Sequence, residues 1–220
     1  IQADLKTFQE RDVFGTSAII ALTVQNTLGV HSVHPVPMEY VIGQLDALFA
    51  DFDLKAIKTG MLLNSDYIIT IADYLKQHSK AALIVDPVMV AKGGAALMED
   101  TATQAMIEHM LPLATLVTPN IPEAETILAR KIETEEDMIQ AAKDIQALGA
   151  SNILMKGGHS LNEEEARDFL WTEDGEGYWF ASQRFHTKNT HGTGCTYSAC
   201  ITAEVAKGKS LKEAIATAKE

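Results

Sequence analysis

Short apolar runs rich in β-branched residues recur at Lys55-Ala56-Ile57, Ala82-Leu83-Ile84-Val85, Thr115-Leu116-Val117 and Ile153-Leu154-Met155. Stretches with helical periodicity separate them, so the pattern predicts an α/β fold: a mostly parallel central sheet with helices on both faces. Val41, Leu45, Leu48, Phe49 and Phe52 mark one helix with a single inward stripe. Ser65 is the expected N-cap of a second, with Ile68, Ala72 and Leu75 on one face. Capping boxes are expected at Thr101 with Gln104, Thr134 with Asp137 and Ser210 with Glu213, and Gly149 is expected to stop the helix of Met138, Ala141, Ile145 and Leu148. From Asp168 to Phe185 the rhythm changes, because aromatic residues alternate about Asp174-Gly175; this predicts an antiparallel edge hairpin. No Pro-rich or Gly/Ser-rich linker, charge block or repeat intervenes, so residues 1–220 are expected to form one domain.

Composition narrows the class of partner. Of 220 residues, 46% are apolar and 22% charged, which is ordinary for a folded chain. Eighteen Lys and Arg against 30 Asp and Glu leave a net charge of −12, which repels nucleic acid and anionic membrane surfaces. A small anionic substrate is still admissible, because a few cations and backbone N–H groups make a local sink. No apolar run reaches the ~20 residues of a bilayer span and no leader pattern opens the chain, so a cytoplasmic location is expected. Cys195 and Cys200 would stand about 7.5 Å apart along one helix axis, too far for a disulfide, and free thiols agree with a reducing compartment. The chain opens at Ile1 on one helical pattern and stops at Glu220 within another, so both ends are expected to be incomplete.

Four motifs carry candidate chemistry. His191-Gly192-Thr193-Gly194-Cys195-Thr196 precedes a helical pattern, and its glycines let backbone N–H groups converge where the helix dipole is positive. Such a turn suits a phosphate in transfer, although taken alone it is an ordinary glycine turn. Thr118-Pro119-Asn120-Ile121-Pro122-Glu123 follows a predicted strand; Asn120 and Glu123 offer hard oxygens to a hydrated Mg²⁺, or simply cap the helix. Asp86 ends another strand and is a candidate to orient metal-bound water or to cap a turn. Lys156-Gly157-Gly158-His159 ends a third with a cation that can face nucleotide phosphates or solvent. Neither Gly208-Lys209-Ser210 as a Walker loop nor Gly192 as the start of a dinucleotide fingerprint has the required glycines and preceding strand, and no zinc-ligand spacing accompanies His159 and His191.

In combination these motifs resemble the hydroxymethylpyrimidine/phosphomethylpyrimidine kinases of thiamine biosynthesis, a branch of the ribokinase-like superfamily. The resemblance includes Ile1-Gln2-Ala3-Asp4-Leu5-Lys6-Thr7-Phe8, Ala21-Leu22-Thr23-Val24-Gln25-Asn26-Thr27, Lys58-Thr59-Gly60-Met61-Leu62, Asp86-Pro87-Val88-Met89-Val90 and Asn189-Thr190 before the glycine turn. It implies ATP-dependent phosphorylation of 4-amino-5-hydroxymethyl-2-methylpyrimidine and then of its monophosphate, with ATP and Mg²⁺ as cofactors and a homodimer as the expected assembly. Mapped onto this chain, Gln25 would bond the aminopyrimidine, with Thr23, Met61 and Val88 lining its pocket. The Gly192, Thr193, Gly194 and Cys195 backbone would form the anion hole, and Cys195 would assist deprotonation with a thiol pKa lowered by the helix N-terminus. Asn120, Glu123 and Asp86 would organise Mg²⁺, while Lys156 and Asn120 would approach the nucleotide. The resemblance also implies a glycine-rich segment ahead of the Ile-Gln-Ala-Asp motif and further helices after Glu220, so the site in these residues is expected to be incomplete. Two rivals are a pyridoxal kinase and a non-catalytic pyrimidine-binding protein on the same fold.

Overall fold

From the amino end, helix α1 (Gln2–Glu10) leads to strands β1 (Ala21–Asn26) and β2 (Gly29–Pro35), then α2 (Met38–Asp51), β3 (Ala56–Thr59) and α3 (Ser65–His78). β4 (Ala82–Val85), α4 (Asp100–Ala105), β5 (Leu116–Val117), α5 (Ile121–Leu128), α6 (Glu135–Ala147) and β6 (Asn152–Met155) complete the alternating part. The hairpin β7 (Glu165–Trp171) and β8 (Gly177–Gln183) follows, and α7 (Thr193–Ala206) and α8 (Leu211–Lys219) close the chain. The computed structural model describes residues 1–89, 100–157, 165–183 and 191–220. Val90, Gly158, His159, Asn189 and Thr190 lie outside the described residues.

The six-stranded sheet has the order β3-β4-β5-β6-β7-β8. β3 to β6 pair in parallel and β6-β7-β8 antiparallel, as the alternating runs and the Asp174-Gly175 turn predict. Strand pleating sorts its side chains into two cores. Leu83, Val85, Val117, Ile153 and Met155 join α3, α5 and α6 on one face; Ile84, Leu116 and Leu154 meet Ile201 of α7 and Ala214 and Ile215 of α8 on the other. Both faces are therefore covered, which is why these strands read as unbroken apolar runs.

Local signals are partly displaced. Thr134 with Asp137 and Ser210 with Glu213 form the expected capping boxes. Gly149 takes φ +118°, a conformation open to glycine, just past the end of α6. Ser65 is not the cap of α3: extended Asn64 is, its side chain accepting from the Tyr67 N–H at 3.2 Å. Thr101 lies inside α4, which includes Asp100, so it does not stand at the N-cap position expected of it. The α2 stripe is shorter than expected: Val41 and Leu45 are buried, whereas Phe52 lies beyond the helix and is 37% exposed.

The β1-β2 hairpin forms a separate two-stranded sheet that the sequence reading did not foresee. Its register slips between Val24 and Gln25, so that His31 has no partner opposite. Such a bulge re-aims the neighbouring side chains. Among the described residues, no helix is long and apolar enough to cross a membrane.

Candidate active site

Sheet hydrogen bonding continues one residue past the parallel strands and sets the polar residues there side by side. Asp86 N–H donates to the Thr59 carbonyl at 3.1 Å, Thr118 N–H to the Val85 carbonyl at 2.9 Å and Lys156 N–H to the Pro119 carbonyl at 2.8 Å. Asn120 and Lys156 are bridged in the same parallel sense. Three strand ends thus deliver Asp86, Asn120 and Lys156 to one edge, the carboxyl edge where open α/β sheets bind ligands.

Lys156 Nζ donates to Asp86 Oδ1 at 2.8 Å; the Asp86 side chain is buried and that of Lys156 is 13% exposed. Thr118 Oγ1 lies 3.3 Å from the same oxygen. Ser198 Oγ, with a single proton to share, lies 3.1 Å from Asp86 Oδ2 and 3.0 Å from the Gly194 carbonyl. Burial by itself would pull the Lys156 pKa down, but Asp86 and Glu123 carry it above the ordinary lysine value. Asp86 therefore serves first as the counter-ion of Lys156, a role not expected from the sequence.

Asn120 and Glu123 form a complete capping box. Asn120 Oδ1 accepts from Glu123 N–H, and the Glu123 carboxylate accepts from Asn120 N–H, both at 2.8 Å. The capping alternative is thus realised. The carboxylate is nevertheless unlike an ordinary cap: burial pushes its pKa up to about 7, against the pull of Lys156 and the Asn120 N–H, and Asp86 adds to the rise.

At the start of α7, Gly192 is the N-cap with φ +81°, and the first bond of the helix runs from Thr196 N–H to the Gly192 carbonyl at 2.8 Å. The amides of Gly194 and Cys195 precede that ladder and sit at the positive end of the dipole. A β-carbon on Gly194 would lie 3.7 Å from Lys156 Nζ, so the turn and the lysine adjoin, and their N–H and ammonium donors are near enough to act on one anion. The expectation for the Cys195 thiol is overturned: burial raises its pKa against the pull of Lys58, and Asp86 and Asp4 add to the rise.

Thr23, Gln25, Met61 and Val88 line the same continuous cleft as Asn120, Lys156 and the Gly192–Cys195 turn. Gln25 is exposed on its hairpin, with Nε2 3.4 Å from His191 Nε2 beside the glycine turn. Residues with no role in the sequence reading also belong here. Ser198 holds Asp86, and Lys58 of β3 pairs with Asp4 of α1 at 3.1 Å. A polar residue directly after an apolar strand run was the available signal for Lys58, as it was for Asp86 and Lys156.

The donor set can be tested against Mg²⁺. Among the described residues, no three His, Cys, Asp or Glu side chains gather as a cage. Two carboxylates, Asp86 and Glu123, do converge electrostatically on the single Lys156, and one is held at about pKa 7 by the cost of its buried charge. That fits a hydrated Mg²⁺, which takes one or two carboxylates and completes its shell with water and substrate phosphates.

A glycine turn at the head of a helix, beside a lysine at the carboxyl edge of a mostly parallel sheet, is the arrangement of a ribokinase-like small-molecule kinase. Comparison narrows the class. The family model described as phosphomethylpyrimidine kinase matches residues 1–220, and the chain belongs to that family. It is 50% identical over 222 aligned positions to the hydroxymethylpyrimidine/phosphomethylpyrimidine kinase of Haemophilus influenzae, covering 100% of this chain and 82% of that protein. Its identity to the enzyme of the same name from Bacillus subtilis is 45% over 219 positions, covering 99% and 80%. Among solved structures, the ADP complex of Bacillus subtilis pyridoxal kinase superposes with a TM-score of 0.91 at 39% identity, covering 100% of this chain and 83% of that one.

Proposed function

We propose that this protein transfers the γ-phosphoryl group of ATP to the hydroxymethyl group of 4-amino-5-hydroxymethyl-2-methylpyrimidine, and then to the resulting monophosphate, in thiamine biosynthesis. The observation that carries the reading is the Gly192–Cys195 turn facing Lys156 in the cleft that also receives Gln25. The nucleotide phosphates would lie toward Lys156, the cation beside the glycine turn, and the ADP complex of the similar pyridoxal kinase supports a nucleotide on this fold. In the first step the hydroxyl oxygen bonds to the γ-phosphorus, the bond to the bridging oxygen breaks, and ADP leaves. Amides at the head of α7 hold the equatorial oxygens as charge spreads over them. The hydroxyl proton must leave, and with the Cys195 thiol mostly protonated only its thiolate minority can accept it. Positioning thus contributes more than base strength.

Mg²⁺ belongs to this reading. Glu123, Asp86 and Asn120 would hold it through water and oxygen contacts, and when bound it neutralises charge on the transferring phosphates. A cytoplasmic location and a homodimer are further parts of the proposal. Free Cys195 and Cys200 support the first, and the exposed apolar Leu22, Val24 and Leu28 on the β1-β2 hairpin support the second. Sizing by light scattering tests the dimer.

A pyridoxal kinase is the second reading, favoured by the close superposition on such an enzyme. Gln25 discriminates between them, because its amide offers a donor and an acceptor to a ring nitrogen and exocyclic amine together, and pyridoxal lacks that pair. Purified full-length protein is assayed for ADP release with each alcohol. A higher kcat/KM for the pyrimidine, narrowed by Gln25→Leu, is expected; preference for pyridoxal, or ligand binding without turnover, would overturn the reading.

A further inference from the structure

Lys58 occupies the β3 position paired with Ile84, on the sheet face that Ile201, Ala214 and Ile215 cover. An ammonium on that apolar face, 5% exposed, is costly unless it is compensated or used. Asp4 stands 3.1 Å away, yet its buried Oδ1 accepts no hydrogen bond. The two charges touch without the alignment of a bond, so the Lys58 donors are not committed to Asp4. The ammonium turns toward the cleft instead: a β-carbon on Gly60, next to Met61, would lie 3.6 Å from Nζ. Lys58 is also the strongest influence favouring the Cys195 thiolate. Two lysines thus serve the glycine turn, Lys156 engaged with Asp86 and Lys58 beside Asp4.

The two phosphorylations differ in acceptor charge. The first acceptor is a neutral alcohol. The second is a phosphate monoester carrying between one and two negative charges near neutral pH, as other phosphate monoesters do. Placing it against the γ-phosphate, in a cleft lined by Asp4 and with the buried Asp86 and Glu123 acting on Lys156, requires a cation that is not occupied with the nucleotide. We propose that Lys58 is that cation: it binds the phosphate of the monophosphate acceptor and so makes the second phosphorylation possible. The inference rests on the pyrimidine kinase reading. In this step an oxygen of the acceptor phosphate bonds to the γ-phosphorus of ATP, and the bond from that phosphorus to the β,γ-bridging oxygen breaks. ADP leaves with the electron pair, and a dianionic acceptor has no proton to lose. Asp4 holds Lys58 in place while the cleft is empty and limits its pull on the incoming phosphate.

The alternative is that Lys58 only pins α1 to the sheet. Kinetics with the alcohol and with the monophosphate as separate acceptors, on the full-length protein, distinguish the two. Lys58→Met is expected to lower kcat/KM for the monophosphate at least tenfold more than for the alcohol, with part of the loss recovered in Lys58→Arg. Asp4→Asn is expected to shift the ratio the other way, lowering KM for the monophosphate relative to the alcohol. Equal losses on both acceptors in the Lys58 variant, or an unchanged ratio in Asp4→Asn, would overturn the proposal in favour of a pin. Should Lys58→Met not fold, the Asp4→Asn and Lys58→Arg ratios decide by the same criterion. A wild-type protein that phosphorylates neither acceptor refutes the parent reading instead, so the two failures are distinct.

Discussion

Glu123→Gln separates the capping role of this residue from its charge. The glutamine keeps an oxygen to accept from Asn120 N–H, so the capping box survives in form. What disappears is a buried carboxylate whose pKa is pushed from 4.5 to about 7 by burial. A carboxyl group with a raised folded-state pKa contributes stability that is present below about pH 4.5 and is lost as the pH rises to about 7, because the folded protein holds the proton more tightly than the unfolded chain. At about 1.36 kcal/mol for each pH unit, the loss amounts to about 3 kcal/mol. The variant is therefore expected to match wild type near pH 4.5 and to exceed it by up to about 3 kcal/mol at pH 8. Urea midpoints at the two pH values, with unchanged m, measure this directly. Activity moves the other way: Mg²⁺ favours the ionised carboxylate, so wild-type Mg²⁺ affinity rises between pH 6 and pH 8, and the variant loses both that rise and most turnover. A variant less stable than wild type at pH 8, or one with unchanged Mg²⁺ dependence, would refute the reasoning.

Lys156→Met strands the buried Asp86 carboxylate with, among the described residues, the Thr118 and Ser198 hydroxyls alone, so a loss of about 3–5 kcal/mol is expected. Adding Asp86→Asn is expected to restore much of the stability and none of the kinase activity, as a double-mutant cycle in urea reads out. Cys195→Ala removes a thiol whose pKa burial holds above its ordinary value, so its deficit in kcat is expected to widen as the pH rises toward 10. Parallel pH profiles would leave the thiol no part in proton transfer. Gly157→Ala drives a β-carbon to within 1.9 Å of the Arg167 carbonyl oxygen, and moving that backbone costs roughly 1–3 kcal/mol or more. Thermal unfolding tests the cost, and a raised KM for ATP tests the accompanying displacement of Lys156.

Much of this architecture was legible because its causes are local or repetitive. β4, β5 and β6 are buried on both faces, so their apolar runs stand out, and the Thr134 and Ser210 boxes need only residues three positions apart. Asn64 and Ser65 are both good caps, and nothing local decides between them; extended backbone at Asn64 does. The β1-β2 hairpin was invisible for a different reason. Leu22 and Val24 are exposed, so their alternation marks no buried face, and burial is what makes a period informative. In the site, Asp86, Asn120 and Lys156 were legible singly as polar residues ending strands. Their meeting depends on sheet order, which places β4, β5 and β6 side by side.

Cys195 shows why residue type and helix position do not determine chemistry on their own. A helix N-terminus favours a thiolate, but at the head of α7 the sulfur is buried and feels the charges of Asp86 and Asp4. Burial, with the two acids adding to it, outweighs the pull of Lys58. The burial that comes with the head of α7 therefore works against a strong base there. A kinase whose transition state is loose tolerates this, because the acceptor needs little deprotonation before the phosphorus has begun to move, and because a second acceptor that is already a phosphate needs none. One site can then serve both steps, with the burden shifted from a base to charges that hold the reacting groups together.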